Sequence, residues 1–273
     1  MSKLNNQSEI IRKVLATDLD GTLIPLPDSE ENQSSLAEIS KAFEIKDLVL
    51  IYCTGRHFES VVDAISIEKL PRPEWIICDV GTSIYRITDG RYISFEAYNK
   101  HLEDLTHTSS RPGMQSLLEG LPGLILQQED HQQEFKLSYE CESSRTDSLV
   151  EKINELLHDF KIPYEAHGSL DPFLNCGLID LLPRGVSKAY ALKWLAQHAG
   201  YGADQVIYAG DSGNDFLALT SGCRAILVAN AGKELTDKVK AALKAKKKSY
   251  ALYVAKKQAT SGVLEGCRHF KWI

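Results

Sequence analysis

The stretch Val14–Ile24, VLATDLDGTLI, decides how the rest of the chain is read. Its apolar start, Val14–Thr17, predicts a strand. Asp18 and Asp20 follow at a spacing of i, i+2, and then Gly21-Thr22. In an extended backbone residues i and i+2 face the same side, so the two carboxylates are expected to leave the strand end into one space. Carboxylates held together repel, which favours either a shared proton or a bound cation. With Mg²⁺ present, one carboxylate can attack while the other moves protons. Aspartates that form acyl phosphates are an established solution for phosphoryl transfer.

Outward from this stretch, apolar strand-like runs alternate with helical patterns. Leu36–Phe43 reads as a helix, Leu48–Tyr52 (LVLIY) as a strand, His57–Ile67 as a helix and Trp75–Cys78 (WIIC) as a third strand. The alternation returns late in the chain. Ile179–Leu182 reads as a strand, Ser187–Ala199 as a helix, Val206–Ala209 (VIYA) as a strand, Asn214–Thr220 as a helix and Ala225–Val228 (AILV) as a strand. Strands apolar on both faces and spaced by helices predict an α/β fold with a covered parallel sheet. Ligands of such sheets bind beyond the C-terminal ends of the strands.

The middle of the chain follows another pattern. In Phe135–Cys141 (FKLSYEC), Phe135, Leu137, Tyr139 and Cys141 alternate with Lys136, Ser138 and Glu140. Strict period two predicts a strand that buries one face and shows a polar one. Helical runs around Gln115–Glu119 and Asp147–Phe160 flank it. The expected organisation is a catalytic core over residues 1–84 and 180–273, with a small inserted α+β cap over 85–179.

Three further clusters fall at the expected strand ends. After the second strand, Thr54-Gly55-Arg56 offers a hydroxyl and backbone N–H groups at a strand-to-helix turn, an anion site; the alternative is a Thr-Gly turn with a surface arginine. Ser187 is a plausible N-cap, and Lys188 in the first turn works against the helix dipole, which suggests a local anion; an exposed lysine is the alternative. Gly210-Asp211-Ser212-Gly213-Asn214-Asp215 forms an oxygen-rich turn suited to Mg²⁺, which takes few protein carboxylates and keeps waters; an acidic N-cap is the alternative. A phosphate dianion approaching Asp18 meets repulsion that Mg²⁺ and Lys188 can offset.

Composition bounds the partners. The chain has 273 residues, 43% of them hydrophobic and 25% charged, enough for two domains of ordinary globular character. A net charge of −6 and a pI near 5.8 argue against a nucleic-acid surface. The basic run Lys244–Lys248 ends a helical pattern and offsets its dipole. Cys53, Cys78, Cys141, Cys176, Cys223 and Cys267 form no CxxC pair and read as free thiols. The polar start MSKLNNQSEIIRK lacks an apolar leader region, and no window approaches eighteen apolar residues. The expectation is a cytoplasmic protein without a membrane span. Nothing in the sequence gives the oligomeric state; a monomer is the default.

The four clusters resemble, in order, the four motifs of the haloacid dehalogenase (HAD) phosphohydrolases. That resemblance implies a Rossmannoid core, Mg²⁺ as cofactor, Asp18 as nucleophile and Asp20 as general acid/base. It implies that Thr54, Gly55 and Lys188 bind phosphate, with help from Asn214. Asp18, Asp211 and the Asp20 carbonyl would hold the metal, with Asp215 supporting that shell or orienting Lys188. Thirty-four positions separate Asp20 from Thr54, too few for a cap, whereas 134 separate Thr54 from Lys188. The insertion therefore resembles the α/β cap of the class that places it between the second and third motifs. More closely, CTGR, GTSIY, FKLSY, IDLLP, GDSGND and SGVLEGCRHF resemble the sucrose-phosphate phosphatases and related disaccharide-phosphate phosphatases over nearly the full length. Two positions depart: Ser83 stands where members often carry an acid, and Ala189 where Gly usually follows the lysine.

The resemblance implies a small-molecule sugar phosphate as partner. Position makes Arg56, Gly81, Thr82, Lys136, Ser138 and Asp180 candidate sugar contacts. Asp180 is notable because an unpaired carboxylate inside an apolar strand is costly. The aromatic region of Tyr85 and Tyr92–Tyr98 reads as cap core. Rival readings are a phosphomannomutase-type isomerase, which uses the same aspartate pair, a non-enzymatic sugar-phosphate sensor, expected to have lost Asp18, Asp20 or Lys188, and an ATP-driven transporter domain, which carries Thr in place of Asp20.

Overall fold

The computed structural model describes residues 12–45, 47–106, 109–170 and 176–273. The polar segment at the start of the sequence lies, up to residue 11, outside the described residues. Along the chain run β1 (Lys13–Thr17), α1 (Glu30–Ile45), β2 (Leu48–Cys53), α2 (Phe58–Ile67), β3 (Trp75–Cys78), β4 (Ser83–Thr88), β5 (Arg91–Ser94), α3 (Glu96–Thr106) and α4 (Arg111–Leu118). Then follow β6 (Ile125–Leu126), β7 (Leu137–Glu142), α5 (Thr146–Asp159), β8 (Tyr164–Leu170), β9 (Cys176–Pro183) and α6 (Lys188–Ala199). The last elements are β10 (Val206–Gly210), α7 (Phe216–Leu219), β11 (Arg224–Leu227), α8 (Lys233–Ala245), β12 (Leu252–Val254) and α9 (Ala259–His269).

The chain divides into two compact units, one of residues 1–52, 67–74 and 194–273, the other of 53–66 and 75–193. In the first, five strands lie in the order β12-β11-β10-β1-β2, and each neighbouring pair is parallel. Val14, Val49, Ile51, Ile207, Ala209, Ala225 and Ile226 are fully buried, as strands covered on both faces require. Helix α9 packs on the same body. Its Thr260 hydroxyl donates to the Leu23 carbonyl at 2.8 Å, and Ser261 accepts from the Asn32 amide, also at 2.8 Å.

In the second unit β3, β4 and β5 form an antiparallel meander. A separate four-stranded antiparallel sheet has the order β6-β7-β9-β8. One face of that sheet, with Leu137, Tyr139, Cys141, Ile179 and Leu181, packs on α4 and α5 through Met114, Leu118, Leu149, Ile153 and Leu157. The segment expected as the cap, 85–179, lies within this unit.

Two expectations need correction. Ile179–Leu182 belongs to β9, which is not a core parallel strand but pairs antiparallel with β7 and β8. Its apolar run reflects a central position between two partner strands; burial alternates along its first residues, as in a sheet with one packed face. Asn214–Thr220 is not one helix: a tight turn holds Gly213–Asp215 and only Phe216–Leu219 is α-helical. The turn is bent to the service of Asp215, as described below. All six cysteines are free thiols. Burial pushes the Cys267 thiol up to about 12 and raises Cys78 well above its ordinary value, so both stay protonated and act as core packing. Among the described residues no helix is long and apolar enough to cross a membrane.

Candidate active site

In the first unit β1 and β10 run side by side with Thr17 opposite Ala209. The residues that follow each strand, Asp18 and Asp211, therefore emerge next to one another. The Asp18 N–H donates to the Ala209 carbonyl at 2.9 Å, and the Asp18 carboxylate accepts the Leu19 N–H at 2.8 Å. Carboxylate oxygens of Asp18, Asp211 and Asp215 lie within 4.8 Å of one another, with Asp18 and Asp215 buried and Asp211 half-buried. Three carboxylates at that separation repel unless positive charge lies among them. An oxygen-only donor set with one partly open edge fits a hard divalent cation such as Mg²⁺ and disfavours softer metals.

Neighbours fix these carboxylates in place. The Thr22 hydroxyl donates to Asp211 Oδ1 at 2.9 Å. The Asn230 side-chain amide donates to Asp211 Oδ2 at 3.2 Å and to the Gly21 carbonyl at 2.8 Å. Its oxygen accepts the Ala259 N–H at 2.8 Å. Asp215 is spent on its own loop: Oδ2 accepts the N–H groups of Asp211 and Ser212, each at 3.1 Å, and Oδ1 accepts the Tyr208 hydroxyl. Gly21 has φ +70, and a Cβ there would lie 2.5 Å from Asp211 Oδ2. Only glycine lets the loop approach that carboxylate.

Strand β1 ends at Thr17, and Asp18 and Asp20 keep extended backbone angles beyond it. Only Asp18 of the two joins the carboxylate triad; Asp20 is exposed in the turn that follows. Asn214 is also exposed and accepts the Ser212 hydroxyl at 2.9 Å. The sequence reading missed Thr22, Tyr208 and Asn230. Asn230 had a signal: a lone amide in the loop three residues past the apolar strand β11.

The second unit holds the other predicted residues. Thr54 follows β2 and is 1% exposed. Its N–H donates to the Ile77 carbonyl, and its Oγ1 accepts the Arg56 N–H at 3.2 Å. Arg56 donates to the Ser60 hydroxyl at 3.2 Å. Lys188 opens α6 and is fully buried, not the exposed lysine of the alternative reading. A lysine tolerates this only against opposing charge. The Cys53 thiol donates to the Lys188 carbonyl at 3.7 Å. A Cβ on Gly81 would lie 2.4 Å from the Ser187 carbonyl oxygen, so the β3–β4 turn abuts the start of α6 directly. The Gly81 carbonyl accepts the Tyr98 hydroxyl at 2.7 Å, and the Thr82 hydroxyl donates to the Asp79 carbonyl at 3.0 Å. Gly81 and Thr82 thus spend these groups on the turn.

Lys136, Ser138 and Asp180 come together. Ser138 and Asp180 are register partners on β7 and β9. The Ser138 hydroxyl donates to Asp180 Oδ1 at 2.6 Å, and Lys136 Nζ lies 3.6 Å from the same oxygen. The polar face of this strand is not open to solvent as its alternation suggested: Ser138 is 1% and Lys136 8% exposed. At the strand edge the Gln132 side chain accepts the Ser138 N–H at 2.8 Å and donates to the Ser138 carbonyl at 2.9 Å.

A family model described as sucrose-6F-phosphate phosphohydrolase matches residues 11–271. The chain belongs to that family. A HAD-like hydrolase of Nitrosococcus oceani is 31% identical over 265 residues, which cover 94% of this chain and 71% of that protein. The mannosylfructose-phosphate phosphatase of Agrobacterium fabrum is 26% identical over 94% of this chain and 96% of its own length. Among solved structures, the sucrose-phosphatase of Synechocystis sp. PCC6803, in complex with sucrose and phosphate, aligns with a TM-score of 0.76 at 24% identity. That alignment covers 95% of this chain and 98% of the other, and it shows a shared HAD-like fold. As a member of the sucrose-6F-phosphate phosphohydrolase family, the protein is a phosphoric monoester hydrolase acting on sugar phosphates.

Proposed function

We propose that this phosphatase hydrolyses a disaccharide phosphate, sucrose 6-phosphate or a close relative, through an aspartyl-phosphate on Asp18. The observation that carries the reading is the Asp18–Asp211–Asp215 triad, buried at the ends of β1 and β10. The Asp18 carboxylate attacks phosphorus, and the ester oxygen leaves with a proton from Asp20. Asp20 then takes a proton from the water that attacks the acyl phosphate, and free sugar and inorganic phosphate result. Asp20 is exposed, as a group that exchanges protons with leaving group and water needs to be. Mg²⁺ would be held by Asp18, Asp211 and the Asp20 carbonyl, with Asp215 fixing the loop, and when bound it supplies charge that offsets the phosphate dianion. Thr54, Gly55, Lys188 and Asn214 take the phosphoryl oxygens. Phosphate monoester hydrolysis needs up to ~10²¹-fold acceleration, so positioning and charge carry most of the work.

In this reading residues 85–179 form the cap that reads the sugar, with Lys136, Ser138 and Asp180 as its contacts, helped by Arg56 and the Gly81-Thr82 turn. Lys136 and Asp180 keep a polar edge, with side chains 9% and 22% exposed. Cytoplasmic residence and no nucleic-acid partner, on the strength of the composition, and a monomer as the default state complete the proposal. The test is phosphate release from mono- and disaccharide phosphates and from p-nitrophenyl phosphate. A disaccharide phosphate should lead in kcat/KM by about tenfold or more, the scale at which buried polar groups discriminate hydroxyls. EDTA should abolish turnover and Mg²⁺ should restore it. Full turnover in metal-free buffer, or no preference for any sugar phosphate, would contradict the proposal.

A further inference from the structure

Asp79 closes β3, and nothing in the phosphatase chemistry above uses it. It is 0% exposed, and among the described residues neither of its carboxylate oxygens has a hydrogen-bond partner. Ser83 and the Cys78 thiol lie close enough to moderate its charge without reaching bonding geometry. A buried carboxyl group left in this state is expensive, and such exceptions call for an explanation. The backbone is strained at the same place: Asp79 and Val80 have φ +52 and +59, a region that a β-branched valine rarely enters. The strain is locked from three sides. Asp79 N–H donates to the Arg56 carbonyl at 2.9 Å, Val80 N–H donates to the Thr54 carbonyl at 3.2 Å, and Gly81 abuts Ser187. Strained backbone held so firmly clusters at ligand sites.

Lys136 is the charge that most offsets the burial of Asp79. The two do not close to an ion pair; the ammonium pairs at 3.6 Å with Asp180 instead. A carboxylate with no donor in bonding geometry thus lies in the field of an ammonium whose own partner is beyond hydrogen-bond distance. The group that satisfies both is one that accepts from Lys136 and donates to Asp79. A sugar hydroxyl does both through a single oxygen.

We propose that Asp79 is a specificity-determining residue, the acceptor for a substrate sugar hydroxyl to which Lys136 donates. This rests on the sugar-phosphate reading and extends its sugar site from the β7–β9 strands to the β3–β4 turn. Burial holds the Asp79 carboxyl above the ordinary carboxylate range, which accords with a group whose donors arrive with the ligand.

The test compares wild type with Asp79→Asn and Asp79→Ser at saturating Mg²⁺. Steady-state kinetics are measured on the preferred sugar phosphate and on p-nitrophenyl phosphate, and both variants are melted without ligand. The ratio of kcat/KM for sugar phosphate to that for aryl phosphate should fall about ten- to a hundredfold, the range for a hydrogen bond to a charged group. The melting temperature should hold or rise, since a buried charge without partners is removed. A ratio unchanged in both variants overturns the inference, as does a lowered melting temperature with equal losses on both substrates, the mark of a structural role or of a site for an ordered water alone. A wild type that prefers no sugar phosphate overturns the parent reading and this inference with it; a wild-type preference that survives both variants overturns the inference alone.

Discussion

Asp211 is held at both oxygens, by Thr22 on one side and Asn230 on the other. Asn230 also grips the Gly21 carbonyl and the first N–H of α9, so a single amide aligns the Asp211 carboxylate with the Asp18–Gly21 loop. Partners one shell away from a metal typically change its affinity by about 10- to 100-fold. Asn230→Ala should therefore raise the Mg²⁺ concentration for half-maximal turnover by about tenfold, with much of the rate recovered at saturating metal. Metal titration of the rate checks this; an unshifted midpoint would show that Thr22 and the loop suffice. Asp18, Asp211 and Asp215, which the fold gathers into one triad, were legible in the sequence because short loops at strand ends leave polar residues few places to go. Thr22, Tyr208 and Asn230 were not, because where a hydroxyl or amide aims depends on neighbours distant in the chain: Thr22 lies 189 positions from Asp211. Asp79 escaped for the same reason, since its missing partners are a property of packing.

At the scale of elements, period two in FKLSYEC correctly announced β7 and its buried apolar face. It could not announce that the other face is also withdrawn from solvent, with Ser138 and Lys136 both buried. Alternation reports polarity, and cover is decided by what packs there. β9 was read into the core sheet because an apolar run looks alike in a buried parallel strand and at the centre of a small antiparallel sheet. The true pairing matters for chemistry, since it sets Asp180 opposite Ser138 and within reach of Lys136. Removing Lys136 leaves Asp180 with the Ser138 hydroxyl alone. Lys136→Ala should raise KM for the sugar phosphate about tenfold, the worth of one hydrogen bond from a charged donor. Lys188→Ala should instead damage sugar and aryl phosphates alike, because both share the phosphoryl group it serves. Equal losses on both substrates for Lys136→Ala would return this strand to a purely structural role.

Over the whole molecule, membership of the sucrose-6F-phosphate phosphohydrolase family fixes the reaction class, and the triad in the first unit is the place proposed for it. Four strands of the parallel body, β1, β2, β10 and β11, were readable because strands buried on both faces leave unbroken apolar runs; β12, three half-buried residues at the edge, was not. Substrate identity was not, because epimers differ by single hydroxyl positions and the Lys136–Ser138–Asp180 cluster proposed to read them comes together only through the β7–β9 pairing. The central claim is that the phosphoryl group passes through Asp18. Rapid mixing with substrate and Mg²⁺, acid quench and peptide mass spectrometry tests it most directly. A phosphoryl adduct on the peptide carrying Asp18 should form transiently in wild type, persist in Asp20→Asn with a substrate whose leaving group needs no proton, and be absent in Asp18→Asn. Turnover by Asp18→Asn near the wild-type rate, with no adduct in any of the three proteins, would contradict the account.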